Sequence, residues 1–147
     1  MKKRKLSVFI IVTILIAMIC SSCYSVRMRA YYADKGNYIT ATGVISHISY
    51  TKGEKAIYFS FSDLDIQVDD DTFSIEYGNF EIAEKNGIVE TAKIGNKVSF
   101  ITAPQYFGDG YIMPIVSITI DGVCFLSFEE GFENLQEQYK RTVFARG

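Results

Sequence analysis

The sequence predicts a mainly β fold, a small β-barrel with one short helix between strands and one α-helix at the C-terminus. Three observations carry this. Apolar and polar residues alternate over short runs, as in Ile57, Phe59, Phe61 and in Phe73, Ile75, Tyr77; a period of two belongs to a strand with one buried face. Turn signals such as Gly87, Gly95-Asn96 and Asp121-Gly122 separate the runs. The chain also carries 10 Tyr and 11 Phe, many of them in those runs, which is enough large apolar material for a core.

Tyr38–Tyr50 reads as the first strand. Ile39 and Ala41 hold the odd phase, while Val44 and Ile48 hold the even one, with Gly43 between them. A change of phase at a glycine predicts a bulge or a sharp bend there. Ala56–Phe61 is the second strand and Thr72–Tyr77 the third. Asn79 is placed to cap a short helix over Phe80–Asn86, which Gly87 ends. Lys97–Ala103 is the fourth strand, with Val98 and Phe100 inward. Tyr111–Ile120 is the fifth, and Pro114 restricts its beginning to an edge or bulge. Asp121-Gly122 predicts a two-residue hairpin returning through Val123–Leu126. In that register Ile120 faces Val123, Ile118 faces Phe125 and Cys124 faces Thr119. Ser127 and Glu130 form a capping box for a last helix. Phe128, Phe132, Leu135 and Tyr139 follow at helical spacing, as a stripe that packs on the barrel.

A glycine-bent first strand, with a helix between the third and fourth strands, resembles an oligonucleotide/oligosaccharide-binding (OB) fold over Tyr38–Leu126. The strand at Val123–Leu126 goes beyond the five-stranded plan, which leaves an SH3-like or other small barrel open. In OB folds the loops after strand one and between strands four and five border the ligand. The resemblance therefore implies contact residues at Tyr50, Lys52 and Lys55 in the first loop, and at Tyr106, Phe107, Asp109 and Tyr111 in or beside the second. Aromatic rings there offer stacking surface with little rotamer entropy to lose. The opposing expectation is that the same aromatics plug one end of the barrel.

The N-terminus supplies an address. Lys2, Lys3, Arg4 and Lys5 precede an apolar run from Leu6 to Ile19 that only Ser7 and Thr13 interrupt. Charge followed by an apolar core is the layout of a secretory signal. The run of about 14 residues is shorter than the roughly 20 of a spanning helix. Ser21-Ser22-Cys23 then resembles the lipobox of bacterial lipoproteins, which implies lipidation of Cys23, although Cys20 stands where that family usually has Leu. Extending the apolar stretch to Val26 leaves an uncleaved transmembrane anchor open, and free secretion is the third possibility. All three place the domain on the extracytoplasmic side of a bacterial membrane. Residues 1–23 are thus read as signal or anchor, 24–37 as a tether and 38–147 as the domain.

Composition narrows the partners. Without Lys2, Lys3, Arg4 and Lys5, eleven of the fifteen basic residues remain against seventeen acidic ones, a net charge of −6. That sign repels phosphate backbones and argues against nucleic acid. With Cys20 and Cys23 in the signal, Cys124 stands alone, so no disulfide framework supports the domain. His47 is the only histidine and lacks a nucleophile or second ligand at a recognisable spacing. No zinc site, phosphate loop or catalytic triad is legible, and no cofactor is expected. Asp63, Asp65, Asp69 and Asp71 alternate with Gln67 between them, so an extended chain places these oxygens on one side, a weak Ca²⁺ candidate. The EF-hand pattern fails, because Val68 sits where Gly is needed and Ser74 where the bidentate Glu belongs. The favoured function is a membrane-tethered extracytoplasmic binding protein for an unidentified protein or small molecule. The alternative is a cell-envelope hydrolase using carboxylates of the acidic run.

Overall fold

The computed structural model describes the backbone of residues 2–68, 72–104 and 112–144, and side chains over the same residues except 2–8, 21–25, 52 and 141–144. Two compact units result, Met1–Asp34 and Lys35–Gly147. The first is a single helix, α1 (Lys2–Ala33). No proline or glycine interrupts that stretch, so the helix continues through residues 24–33, where the sequence suggests a tether. Among the described residues, no helix is long and apolar enough to cross a membrane.

The second unit contains β1 (Ile39–Thr51), β2 (Ala56–Ser62), β3 (Thr72–Glu76), α2 (Tyr77–Lys85), α3 (Ile88–Thr91), β4 (Lys97–Thr102), β5 (Met113–Ile120), β6 (Val123–Leu126) and α4 (Phe128–Phe144). The sheet order is β3-β2-β1-β4-β5-β6. A parallel pairing of Phe73 with Met113 and Ser74 with Pro114 joins β3 to β5 and closes five strands into a barrel. This is an OB-fold-like barrel with α2 between the third and fourth strands and β6 added on β5.

Inward residues of the strands meet as stacked rings. Phe61 lies 4.6 Å from Phe100 and 5.3 Å from Phe73, and Phe73 meets Phe100 edge-on at 5.0 Å. Ile57, Phe59, Val98 and Phe100 are buried as the alternation predicts.

β1 serves two neighbours. Its first half pairs with β4 and its second half with β2, the two ladders overlapping at Val44. The register shift falls between Ile45 and His47, not at Gly43. Ala41 and Ile45 therefore share the buried phase, and the phase changes at Ser46. Gly43 is required for close approach instead: a Cβ there would lie 3.1 Å from the Ser62 carbonyl oxygen and 3.2 Å from Leu64.

Three further expectations change in the fold. Asn79 does not cap α2, which starts at Tyr77 with Glu76 as its N-cap. Asn79 is buried, and its Nδ2 donates to the Gly131 carbonyl at 3.1 Å, tying α2 to α4. The β5–β6 turn has positive φ at both Asp121 (48°) and Gly122 (86°), as a type I′ hairpin requires. Its register then slips, so that Ile118 faces Leu126 instead of Phe125 and both Phe125 and Leu126 are buried. Lastly, α4 is seated by Gly131 and Leu135, while Phe128 and Phe132 are half-buried and pack on Tyr38. Ser127 does accept the Glu130 N–H, and its hydroxyl donates to the Glu130 carboxylate.

Gly131 explains the seat of α4. A register shift in the β4–β5 ladder leaves Val116 unpaired between Ile115 and Ser117, and a Cβ on Gly131 would lie 1.9 Å from the Val116 carbonyl oxygen. Alanine favours a helix by about 1 kcal/mol over glycine, but this clash is with backbone, so the helix itself must move, at about 1–3 kcal/mol. Gly131→Ala should therefore lower the midpoint of urea unfolding. An equal or higher midpoint would show that α4 does not rest on β5 at this point.

Candidate functional site

The acidic run is the first candidate that the structure places. Asp63, Asp65 and Gln67 are exposed, while Leu64, Ile66 and Val68 turn towards the core, so the alternation holds over this stretch. Asp69 and Asp71 lie outside the described residues. Asp65 is already engaged. Its carboxylate accepts the Thr42 N–H at 2.7 Å and the Thr42 hydroxyl at 2.8 Å, and its own N–H donates to the Thr42 carbonyl at 3.2 Å. It satisfies β1 where β2 has already turned away. These bonds, the backbone one first, hold its pKa below the usual carboxylate value. No group of three or more metal-ligating side chains occurs among the described residues.

The loop after β1 is held by α2. Tyr50 stacks on Phe80 at 5.6 Å and its hydroxyl donates to Glu84 at 3.0 Å. Partial burial and then that bond raise its pKa. Lys55 donates to Glu81 at 2.5 Å, which raises the lysine pKa and lowers that of the glutamate. Lys52 begins a short 3₁₀ turn, and its side chain is not described. Tyr106, Phe107, Asp109 and Tyr111, the implied contacts of the other loop, lie outside the described residues, as does the side chain of Cys23.

The outer face of β1, β2 and β3 assembles a site that the sequence reading does not single out. The bulge at Ser46 sets its register. One row across the three strands is His47, Ser60, Thr72, and the next is Ser49, Tyr58, Ser74. The surface is thus lined by the hydroxyls of Ser49, Tyr58, Ser60 and Thr72 and by one imidazole, with carboxylates at one end, while Ser74 closes the second row as a buried residue. Burial, followed by the charges of Glu76 and Glu54, pushes the Tyr58 phenol pKa up.

Tyr77 stands beside this end. The sequence alternation places it inward with Phe73 and Ile75. In the structure it is 53% exposed with φ of 51°, because β3 stops at Glu76 and Tyr77 turns the chain into α2. Its N–H donates to the carbonyl of Lys55 at 3.1 Å, and Lys55 is itself left-handed at 49°. A bulky residue in this conformation is strained, and here core burial does not offset the strain.

This face offers hydrogen bonds and ring surface. His47 is exposed and stands opposite Ser60 in the ladder, yet no side-chain hydrogen bond joins them among the described residues. Cys124 is also exposed, on β6, three strands from β1 in the sheet order. An open depression of about 600 Å³ lies on the adjoining face of β1, β4 and β5, where Thr42, Ser99, Thr119, Lys97, Asp63 and Asp121 form its polar lining. The alternation of Ile57, Phe59 and Phe61 already implies that Tyr58 and Ser60 face outward. No sequence signal aligns them with His47, because that register depends on the bulge.

Two measurements check this geometry. A carboxylate with a depressed pKa adds stability above its unfolded pKa of about 4, and this is lost as pH falls through the lower native value. Asp65→Ala should therefore flatten the loss of stability on acidification below about pH 4; an unchanged pH profile would show that the Thr42 bonds are not kept in solution. Tyr77→Gly removes the left-handed strain, so stability should rise by about 1 kcal/mol. A marked loss would mean that the ring is needed for packing.

In comparisons with known proteins, no family model matches the chain, and no curated protein or solved structure is similar to it.

Proposed function

We infer that this chain is a membrane-tethered extracytoplasmic binding protein, and that its ligand is taken on the outer face of β1, β2 and β3. The single observation that carries the reading is Tyr77. A large aromatic ring is held out to solvent at a strained backbone position, next to Tyr58 and the aligned hydroxyls of Ser49, Ser60 and Thr72. Strain without compensating burial marks a position kept for contact. The face is suited to a neutral, polar partner: hydroxyls and imidazole exchange hydrogen bonds with it, and tyrosine rings supply apolar area at low entropic cost. The net charge of −6 outside the basic N-terminus turns phosphate polymers away.

The hydrolase alternative draws less support. The Asp65 carboxylate is committed to the Thr42 N–H and hydroxyl, which leaves it less able to serve a substrate, and Asp69 and Asp71 lie outside the described residues. For attachment, the basic cluster, the apolar run and Ser21-Ser22-Cys23 support export and lipidation at Cys23.

A photo-crosslinking amino acid placed at Ser60 in the full chain should capture a component of the bacterial envelope, and one placed at Ile94, an exposed site after α3, should not. Equal capture from both positions would sink the assignment of the face. Separately, Cys23→Ala should abolish incorporation of radiolabelled fatty acid and leave the precursor uncleaved; normal labelling of that variant would rule out lipidation at Cys23.

A further inference from the structure

A second site lies where the chain enters the domain. Tyr38, Phe128 and Phe132 form a three-ring cluster, and none of the three belongs to the barrel core. Tyr38 stands edge-on to both phenylalanines, at 5.8 Å and 73° to Phe128 and at 5.5 Å and 75° to Phe132. The two phenylalanines are 5.7 Å apart and inclined by 35°. They thus present neighbouring faces, with the tyrosine as a wall across them. Over those faces sits an ammonium group: Lys35 Nζ lies 4.9 Å from the centre of Phe132 and 5.7 Å from that of Phe128.

The helix explains why the rings are available. Gly131 and Leu135 take the seat against the barrel, and Phe128 and Phe132 lie to one side of it. Among the described residues, Lys35 takes part in no ion pair with a carboxylate, so the rings are its described partners. A lysine held by ring faces reports that the field there favours a cation. An ammonium is strongly hydrated and loses that water on docking. A quaternary ammonium spreads its charge over methyl groups and offers more apolar surface to the rings.

We propose that Tyr38, Phe128 and Phe132 form a binding site for a quaternary ammonium group, and that Lys35 occupies it as an internal competitor. The site is separate from the face of β1, β2 and β3 and does not depend on that assignment. Two sources carry this chemistry, a small free solute and a choline lipid headgroup.

The test uses the full chain in a choline-free detergent, with tetramethylammonium chloride as probe and sodium chloride at matched ionic strength as control. Saturation-transfer NMR should show contact between the methyl protons and aromatic protons. Lys35→Gln should raise the affinity about threefold to tenfold by removing the competitor. Phe132→Leu in the Lys35→Gln background should abolish the effect, with circular dichroism checking that the variant is folded. If it does not fold, the contacts seen in Lys35→Gln alone decide. Weaker tetramethylammonium binding by the full chain in phosphatidylcholine vesicles than in phosphatidylethanolamine vesicles assigns the lipid source, and equal binding in both assigns the free solute. Absence of saturable binding by Lys35→Gln into the high-millimolar range, or equal affinity in the wild type and Lys35→Gln, overturns the proposal.

Discussion

The barrel depends on the ring cluster of Phe61, Phe73 and Phe100. These residues come from β2, β3 and β4, and all three are buried with centroids about 5 Å apart. Closing a sheet requires its first and last strands to approach, and here the closing contact is only the short parallel pairing of β3 with β5. Two residue pairs of backbone ladder are a weak clasp. The apolar area that the rings remove from water gives the larger driving force, since burial of each phenylalanine is worth about 2–3 kcal/mol. Closure therefore follows from filling the interior, and the β3–β5 hydrogen bonds set its register.

A second constraint follows from closure. A closed barrel turns its polar alternation outward, and one outer strip must still be covered where β5 carries the buried Val116 between Ile115 and Ser117. The terminal helix covers it at a glycine, with no side chain between the backbones. Asn79 and Asn86 brace the arrangement: the first bonds the Gly131 carbonyl, the second the Phe125 carbonyl at 2.9 Å. Both are polar side chains satisfying backbone carbonyls of other elements. Asn79 leaves its own Oδ1 without a hydrogen-bond partner among the described residues, and such a buried orphan is costly. Asn79 thus makes one interhelical bond at the expense of another polar atom, which restricts how α2 and α4 can meet.

The two candidate sites arise from what this packing leaves over. On β1, β2 and β3 the inward residues are apolar, so hydroxyls are displayed on the outside, and a strained turn adds Tyr77. On α4 the glycine seat rotates Phe128 and Phe132 away from the barrel, and the chain entering at Lys35 and Tyr38 meets them. In both places aromatic rings that composition alone assigns to the core stand partly outside it. The acidic run behaves differently. Its apolar half covers the core, and Asp65 stands in for a missing strand neighbour along β1.

The sequence by itself determined the six strands, the helix after the third and the terminal helix, and the inward faces of β2 and β4. Period-two alternation is local, and so are the Asp121-Gly122 turn, the capping box of Ser127 with Glu130 and the stop at Gly87; each depends on residues a few positions apart. From these, a small OB-fold-like barrel with a helix between strands three and four was legible. Only the tertiary structure decided the bulge at Ser46 in place of Gly43, the slip that puts Leu126 against Ile118, the outward Tyr77 and the burial of Asn79. Each results from competition between a local preference and contacts with residues distant in the chain. Gly43 is held straight by the approach of Ser62 and Leu64, and Tyr77 is turned out because β3 must end where Lys55 can receive its N–H. The aligned rows of His47 with Ser60 and of Ser49 with Tyr58 belong to this second class. A register is a relation between strands, and a shift of one residue would turn every one of these side chains to the opposite face.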